Sequence, residues 1–424
     1  MSRVHIWIDA NHPHCALRLF GMTLLERVLR GLELAAREAK LELGGIEVEL
    51  ASESAIAREL PATLVDRLDV RWSHADAPLG RRLAQAQERT GGEALLALRG
   101  DVVVDTRLLR HMLTSEGNLT FISGEGTERT ALLRLETPLG EVAEASHGQP
   151  DDLLAHSERA LDEGRVKEFV EANYDGYIRM LRRVLPLHLY RVDDDDCRRR
   201  SERFLFWSNY KGSTDFMTKY VYPPFVWRMV RPLARLRVHP NWITAVGILC
   251  TFASLPFFAA GEWVIGLSLA YTMSVLDSVD GKLARLTYRD SLLGNLLDHG
   301  LDLVHPPLWY MAWAWALSAG DPSSTLFLSS LGLLAWYVID RLITLCFKLR
   351  TGRSIHAMEE LDVRMRTFIS RRNVNLPLFT VALPLGLAVP CFYGIALWQV
   401  ASALFHAQRL VRFWSWRAAD GNAR

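Results

Sequence analysis

The sequence predicts two unlike parts: an α/β water-soluble domain, then an all-α membrane domain of six transmembrane helices. Three observations predict this. Up to about residue 196, short apolar runs alternate with charged amphipathic stretches. From about residue 242 onward, apolar runs reach membrane-spanning length. The loops joining those long runs alternate between rich in Lys and Arg and devoid of them.

In the first part, residues 1–200, strand-like runs lie at Val4–Ile8, Gly45–Ala51 and Ala94–Val104, with helix-like stretches at Leu24–Lys40 and Gly80–Arg89. Alternation of this kind predicts a mostly parallel sheet with flanking helices. Gly124 and Gly126 fall between two strand-like runs and predict a hairpin rather than a phosphate cradle. The N-terminal region has no apolar core of a signal peptide, because Asp9, Asn11 and His12 interrupt it, so the domain is expected in the cytoplasm.

Composition excludes several classes. The formal net charge of the 424 residues is +1 and there is no basic tail, so nothing points to nucleic acid. Cys15, Cys197, Cys250, Cys346 and Cys391 are scattered without a CxxC pair, which argues against a zinc cluster or disulfide framework.

Residues 201–240 form a junction. The opposed charges of Asp193–Asp196 and Arg198–Arg200 just before it predict a solvated surface. Within it, Pro224–Arg237 repeats Phe225, Met229, Leu233 and Leu236 at helical spacing, with Arg228, Arg231 and Arg235 on another face. That is the pattern of a helix lying on an anionic membrane surface.

The third region, residues 241–424, carries spans at about 242–260, 263–282, 292–318, 325–347, 367–387 and 389–411. Loops near 261, 321 and 388 lack Lys and Arg, whereas Lys282–Arg289, Lys348–Arg372 and Arg409–Arg417 are rich in them. The bias places both termini, and the loops after spans two and four, on the cytoplasmic side.

Four carboxylates interrupt spans two and three. The sequence reads Asp277-Ser-Val-Asp-Gly-Lys-Leu-Ala-Arg285, then Gly294-Asn-Leu-Leu-Asp-His-Gly-Leu-Asp302. Helical periodicity puts Asp277 and Asp280 on a face with Gly281 and Ala284, and stacks Gly294, Asp298 and Asp302 on the next helix. Four like charges near lipid need cations to neutralise them or raised pKa values. An all-oxygen donor set suits Mg²⁺ or Mn²⁺, and two ions about 3.5–4 Å apart would organise an in-line phosphoryl displacement.

The spacing D-x2-D-G-x2-A-R-x8-G-x3-D-x3-D resembles the signature of the CDP-alcohol phosphotransferase family at every fixed position. The likeness covers about residues 205–415 and includes His239-Pro-Asn-Trp-Ile-Thr244, where that family commonly has Pro-Asn-x-x-Thr. The resemblance implies that Asp277, Asp280 and Asp298 hold the metals. Asp302, a further metal-site carboxylate, is implied as the base that takes the proton of the attacking hydroxyl. It nominates Gly281, Ala284, Arg285 and Gly294 for CDP, with Asn241 and Thr244 as further candidates. Asn241 as a helix N-cap and Arg285 as an ion-pair partner of an aspartate stay open as alternatives. Arg353, Arg364, Arg366, Arg371 and Arg372 border the same side, either as orientation signals or as ligands of an acceptor or donor phosphate. His299 and His305 are expected to be structural.

Phe20–Leu29 and Leu95–Val104, with Asp101, resemble a sugar-phosphate nucleotidyltransferase. Ile8-Asp-Ala-Asn-His-Pro-His14 stands where that family's glycine-rich loop would be, so a degenerate domain is expected. Lys211-Gly-Ser-Thr-Asp215 resembles the junction of bifunctional relatives that fuse an active cytidylyltransferase to such a membrane module. The expectation is therefore phosphotransfer from a CDP-activated donor to an alcohol acceptor at the membrane lipid, with release of CMP. A homodimer is implied by the resemblance. Two donor classes remain, a CDP-linked head group or CDP-diacylglycerol, and the fusion favours the first. A transporter or ion-binding protein built on the same carboxylates is the alternative from a different class.

Overall fold

The computed structural model describes residues 3–50, 56–74, 77–139, 152–178, 180–290 and 292–414. The side chains of residues 173, 292–299, 301 and 302 lie outside the described residues. The chain divides into two compact units, one of residues 1–176 and 184–208, the other of residues 177–183 and 209–424.

The first unit is an α/β domain. Its seven-stranded sheet uses β1 (Val4–Asp9), β2 (Leu43–Leu50), β3 (Val70–His74), β4 (Ala94–Arg99), β5 (Leu119–Ser123), β6 (Thr130–Leu135) and β7 (Lys167–Glu168). The order is β7-β5-β6-β4-β1-β2-β3. The central β1 runs parallel to both β2 and β4, and its buried Val4, Ile6, Trp7 and Ile8 reflect a strand covered on both faces. Helix α1 (Leu24–Ala39) starts where the Thr23 hydroxyl accepts from the Glu26 amide, at 3.1 Å. It stops at Lys40 in the left-handed region, and it buries Leu25, Val28, Leu29, Leu32, Ala35 and Ala36 along one stripe. The helix predicted at Gly80–Arg89 is α2 (Leu79–Arg89).

Strands β5 and β6 pair antiparallel on either side of Gly124. Gly124 has φ +94°, and a Cβ there would meet the Glu128 carbonyl oxygen at 2.5 Å, so the turn demands glycine for its backbone. The run Ala94–Val104 is not one strand. It breaks at Gly100-Asp101, and Val102–Val104 pairs instead with Leu189–Arg191. The acidic-basic run before residue 201 opens α3 (Asp195–Ser208), with Arg198 2.7 Å from Asp195 one turn away.

The second unit is helical. Its elements are α4 (Pro223–Arg235), α5 (Pro240–Ala259), α6 (Trp263–Leu286), α7 (Leu292–Leu317), α8 (Thr325–Thr351), α9 (Glu360–Phe368), α10 (Arg372–Ala382) and α11 (Ala388–Arg412). Among the described residues, three of them, α5, α8 and α11, are long and apolar enough to cross a membrane by length and composition. The stretch expected as a span at 367–387 is not one helix. The chain leaves α9 at Phe368, passes Ile369–Arg371 and forms only the 11 residues of α10, about 17 Å at the usual helical rise. The core of this unit is aromatic: Trp313 stacks on Phe379 at 4.1 Å, and Phe258, Trp309 and Phe392 close around them.

Helix α4 packs through Val226, Val230 and Ala234, one residue every turn. Phe225 within the helix and Leu236 just past its end are exposed, while Trp227, Met229 and Leu233 are half-buried. A helix with a second apolar stripe beside Arg228 and Arg235 keeps the amphipathic character seen in its sequence.

Candidate active site

Asp277 and Asp280 stand one turn apart near the end of α6. Asp280 is buried and its Oδ2 accepts from the Thr244 hydroxyl of α5 at 2.7 Å. Asp277 accepts at Oδ2 from the Arg372 guanidinium at 3.0 Å, with its side chain 22% exposed. The charge-assisted hydrogen bond from Arg372 fixes the orientation of the Asp277 carboxylate.

Two cavities meet at this end of the helices. The larger, 1590 Å³, is bordered by Asn241, Thr244, Asp280, Gly281, Ala284 and Arg285, and by apolar side chains of α7 and α8 such as Leu303, Met311, Leu342 and Leu345. The smaller, 220 Å³, is bordered by Asp277 and Arg372 together with Asp215, Lys282 and Asn373. Gly281, Arg285, Lys211, Tyr337, Arg341 and Arg371 belong to both. Gly281 borders both cavities, and a Cβ there would lie 3.3 Å from the Arg285 guanidinium.

The residues predicted from sequence divide as follows. Asn241, Thr244, Asp280, Gly281, Ala284 and Arg285 come together on the larger cavity. Asn241 is not the cap of α5: His239 takes that place, its Nδ1 accepting from the Asn241 amide at 3.2 Å. Arg285 donates from Nε to Asn209 at 3.2 Å. Asp298, Asp302 and Gly294 belong to α7, but their side chains lie outside the described residues.

The five arginines separate. Arg353 and Arg371 reach the larger cavity, and Arg366, Arg371 and Arg372 the smaller. Arg364 reaches neither; it is exposed and paired with Glu360 one turn away at 2.6 Å. Arg366 and Arg371 both donate to Nε2 of buried His356, at 3.0 and 3.3 Å. Burial first, and then the charge of Arg371, hold the His356 imidazole well below its usual pKa, which keeps that nitrogen an acceptor. His305 is engaged by Arg372 Nη1 at 2.9 Å.

Sequence reasoning missed Arg341, Lys211 and Asn373. Arg341 lies on α8 beside buried Asp340, to which it donates at 2.6 Å, and Asp340 also bonds to His406 of α11. An Asp-Arg pair inside an otherwise apolar helix was the available signal. Lys211 stood in the junction motif Lys211-Gly-Ser-Thr-Asp215, which pointed to kinship and not to the site, and Asn373 fell in the stretch read as the fifth span.

Whether this end of the unit suits a divalent cation is a question of donors. Asp277 and Asp280 supply hard oxygen ligands on one helix face, the type that Mg²⁺ and Mn²⁺ prefer. Among the described residues no group of three or more His, Cys, Asp or Glu side chains is placed to share an ion, and two of the four aspartates are outside that set. The donor chemistry fits; the described ligands are half of those expected.

A carboxylate pair and a field of guanidinium groups at the polar end of a large apolar cavity suit an anionic substrate with a lipid part. Residues 237–405 match the CDP-alcohol phosphatidyltransferase family. The archaetidylinositol phosphate synthase of Aeropyrum pernix is 30% identical over 145 residues, 34% of this chain and 73% of that protein. Choline/ethanolaminephosphotransferase 2 of Arabidopsis thaliana is 34% identical over 128 residues, 24% of this chain and 32% of that one. The archaetidylinositol phosphate synthase of Methanothermobacter thermautotrophicus is 31% identical over 80 residues, 19% of this chain and 41% of its own length. The chain thus spans well under half the length of the last two. The 4-diphosphocytidyl-2C-methyl-D-erythritol synthase structure from Anaerococcus prevotii covers 48% of this chain and 98% of its own, at 11% identity and a TM-score of 0.33, too low to bear on the first unit.

The chain belongs to the CDP-alcohol phosphatidyltransferase family. It is an integral membrane protein with an α/β domain in front of the helical unit.

Proposed function

We propose that the chain transfers a phosphate-linked group from a CDP-alcohol to a hydroxyl acceptor and releases CMP. The observation that carries this reading is the single cavity that gathers Asn241, Thr244, Asp280, Gly281, Ala284 and Arg285 and continues into an apolar wall. A nucleotide diphosphate fits the small residues and the arginine, and an acyl or other lipid chain fits the wall.

Asp277, Asp280, Asp298 and Asp302 are the residues to hold two Mg²⁺ or Mn²⁺ ions, which when bound would neutralise the diphosphate and its leaving oxygen. Thr244 fixes the Asp280 carboxylate and Arg372 the Asp277 carboxylate, so neither has to be ordered at the moment of reaction. Asp302 takes the proton of the attacking hydroxyl, and the apolar wall disfavours water as a competing acceptor. Several membrane crossings, with both termini on the cytoplasmic side, and a homodimer complete the reading. The outward stripe of α4 lies on the membrane surface.

Among the described residues, the smaller cavity is lined by Lys211, Lys282 and five arginines against Asp215 and Asp277. That surplus favours an acceptor with a phosphate of its own, and therefore a lipid-linked CDP donor such as CDP-diacylglycerol, over the CDP-linked head group favoured by the fusion alone. The first unit is read as a degenerate nucleotidyltransferase-like domain. The family match supports a transferase over a carboxylate-based transporter.

The test is CMP release by the purified full chain from lipid-linked and head-group CDP donors, with free and phosphorylated polyol acceptors, in Mg²⁺ and in excess chelator. Release from a lipid-linked donor that needs both Mg²⁺ and a phosphorylated acceptor is expected. Undiminished release in chelator would remove the metals, and vesicle uptake of an ion without CMP release from any donor would return the transporter.

A further inference from the structure

The junction before α4 was read from sequence as a connection, and the family match begins only at residue 237. Its side chains nevertheless turn inward. Ser213, Thr214 and Asp215 are buried, and all three border the smaller cavity. Asn209 accepts from Arg285 at 3.2 Å, and the Lys282 ammonium lies 3.3 Å from the centre of the Tyr210 ring. Two residues of the aspartate motif segment thus pack on two consecutive residues of the junction.

A third link is longer. The Asp215 carboxylate accepts at Oδ2 from the Asn373 amide at 3.3 Å and from the Thr218 hydroxyl at 3.0 Å, while its Oδ1 accepts from the Thr218 backbone at 2.9 Å. The Asn373 carbonyl oxygen accepts from Arg372 Nε at 3.1 Å, and Arg372 Nη2 donates to Asp277. Asp215, Asn373 and Arg372 are each at most 8% exposed. The polarity of the relay is fixed by its ends: a carboxylate can only accept the Asn373 NH₂, and a guanidinium can only donate to its oxygen. Only one orientation of the amide satisfies both, so Asp215 sets Asn373, Asn373 sets Arg372, and Arg372 sets Asp277.

We propose that the junction Asn209–Thr218 is part of the phosphotransfer site, with Asp215 a positioning residue that acts through Asn373 and Arg372 on the metal-binding carboxylate of Asp277. Outer partners that orient a metal-ligating carboxylate typically change metal affinity by about 10–100-fold when removed. The inference rests on the reading of Asp277 as a metal ligand given above.

The experiment measures Mn²⁺ binding by electron paramagnetic resonance of the purified full chain without substrate, for wild type, Asp215→Asn, Asp215→Ala, Asn373→Ala and the double variant Asp215→Ala/Asn373→Ala. Thermal unfolding in chelator checks that each remains folded. Mn²⁺ dissociation constants are expected to rise about tenfold or more in each single variant, and the double variant should add little to either, as links of one relay do. The Mg²⁺ needed for half-maximal CMP release should rise in parallel, with turnover at saturating Mg²⁺ largely kept. Folded single variants whose Mn²⁺ affinity stays within about twofold of wild type would overturn the proposal while leaving the metal reading intact. A wild-type chain that binds no Mn²⁺ would overturn the metal reading and the proposal together.

Discussion

Asp101 and Asp277 each sit beside an arginine, yet the two settings differ in what they leave within reach. Asp101 is fully buried, and both its oxygens are taken by Arg99, at 2.9 and 2.8 Å, with Arg191 3.6 Å away. Asp277 meets Arg372 through Oδ2 and borders a cavity. A fork-to-fork pair shut away from solvent is neutralised within the protein, whereas a carboxylate held at the rim of a cavity stays in reach of what enters it. The difference teaches that an aspartate after a strand and an aspartate in a long helix, equally conspicuous as sequence, are told apart by how their arginine approaches.

The largest effects should fall on the helical unit. Asp302→Asn keeps size and removes the basic oxygen, so turnover should drop by about 10²–10⁴-fold while metal-dependent donor binding survives. Asp277→Asn should instead lose donor binding and metal together. Calorimetry of donor binding across a Mg²⁺ titration, alongside CMP release, separates the two, and equal loss of donor binding would make Asp302 a ligand rather than the base. Next in size is Arg371→Ala. Losing a charged hydrogen bond of about 1.5–3 kcal/mol to an acceptor phosphate should raise the acceptor KM by about 10–100-fold. Arg364→Ala, whose guanidinium is exposed on Glu360, should leave that KM unchanged.

The two parts of the fold differed in how far their sequence could be read. β1, α1 and α2 were legible because an apolar period and a cap or a break coincide in each. The break at Gly100-Asp101 was hidden because Leu95–Val104 is apolar on both sides of it, and nothing in that run states that Val102–Val104 has a different partner strand. At 367–387 hydropathy ran on, but Arg371 caps α10 and Arg372 turns inward, so the apolar stretch is shorter than its window. The cluster on the larger cavity was legible because its motif has fixed spacing. The roles of Asp215, Asn373 and Arg372 were not, since they come from contacts made across 158 residues between Asn373 and Asp215 and 95 between Arg372 and Asp277, which no local pattern records.

A smaller effect on catalysis is expected from Thr244→Val, which keeps the shape of the side chain and removes the donor to Asp280. The metal requirement for CMP release should rise by about tenfold, and Thr244→Ser, which keeps the hydroxyl, should stay close to wild type. A Mg²⁺ titration of both variants checks this, and an unchanged requirement in Thr244→Val would mean that the bond does not orient Asp280 for the ion.

The smallest effect on turnover is expected at Asp101, and it is the one that tests the comparison most directly. Burial alone would raise the Asp101 pKa, but the hydrogen bonds and charge of Arg99 hold it below the usual carboxylate range. A folded-state pKa below the unfolded value means that the unfolded chain binds more protons as pH falls. The stabilisation from this pair is therefore complete above the unfolded carboxylate pKa of about 3.9 and is lost as pH drops through the folded value. Asp101→Asn leaves the Arg99 charge buried without its bidentate partner, and should cost about 3–5 kcal/mol in the first unit. The double replacement Arg99→Met/Asp101→Leu removes both charges and should recover most of that loss. CMP release should stay at wild-type level in both variants wherever they remain folded, and no variant or wild-type chain should release pyrophosphate from CTP. Limited proteolysis of the full chain against denaturant would read the stability of the first unit, while CMP and pyrophosphate assays read the chemistry. Pyrophosphate release that depends on Asp101 would show that Arg99 can yield its carboxylate to a metal, and the contrast with Asp277 would then be one of degree.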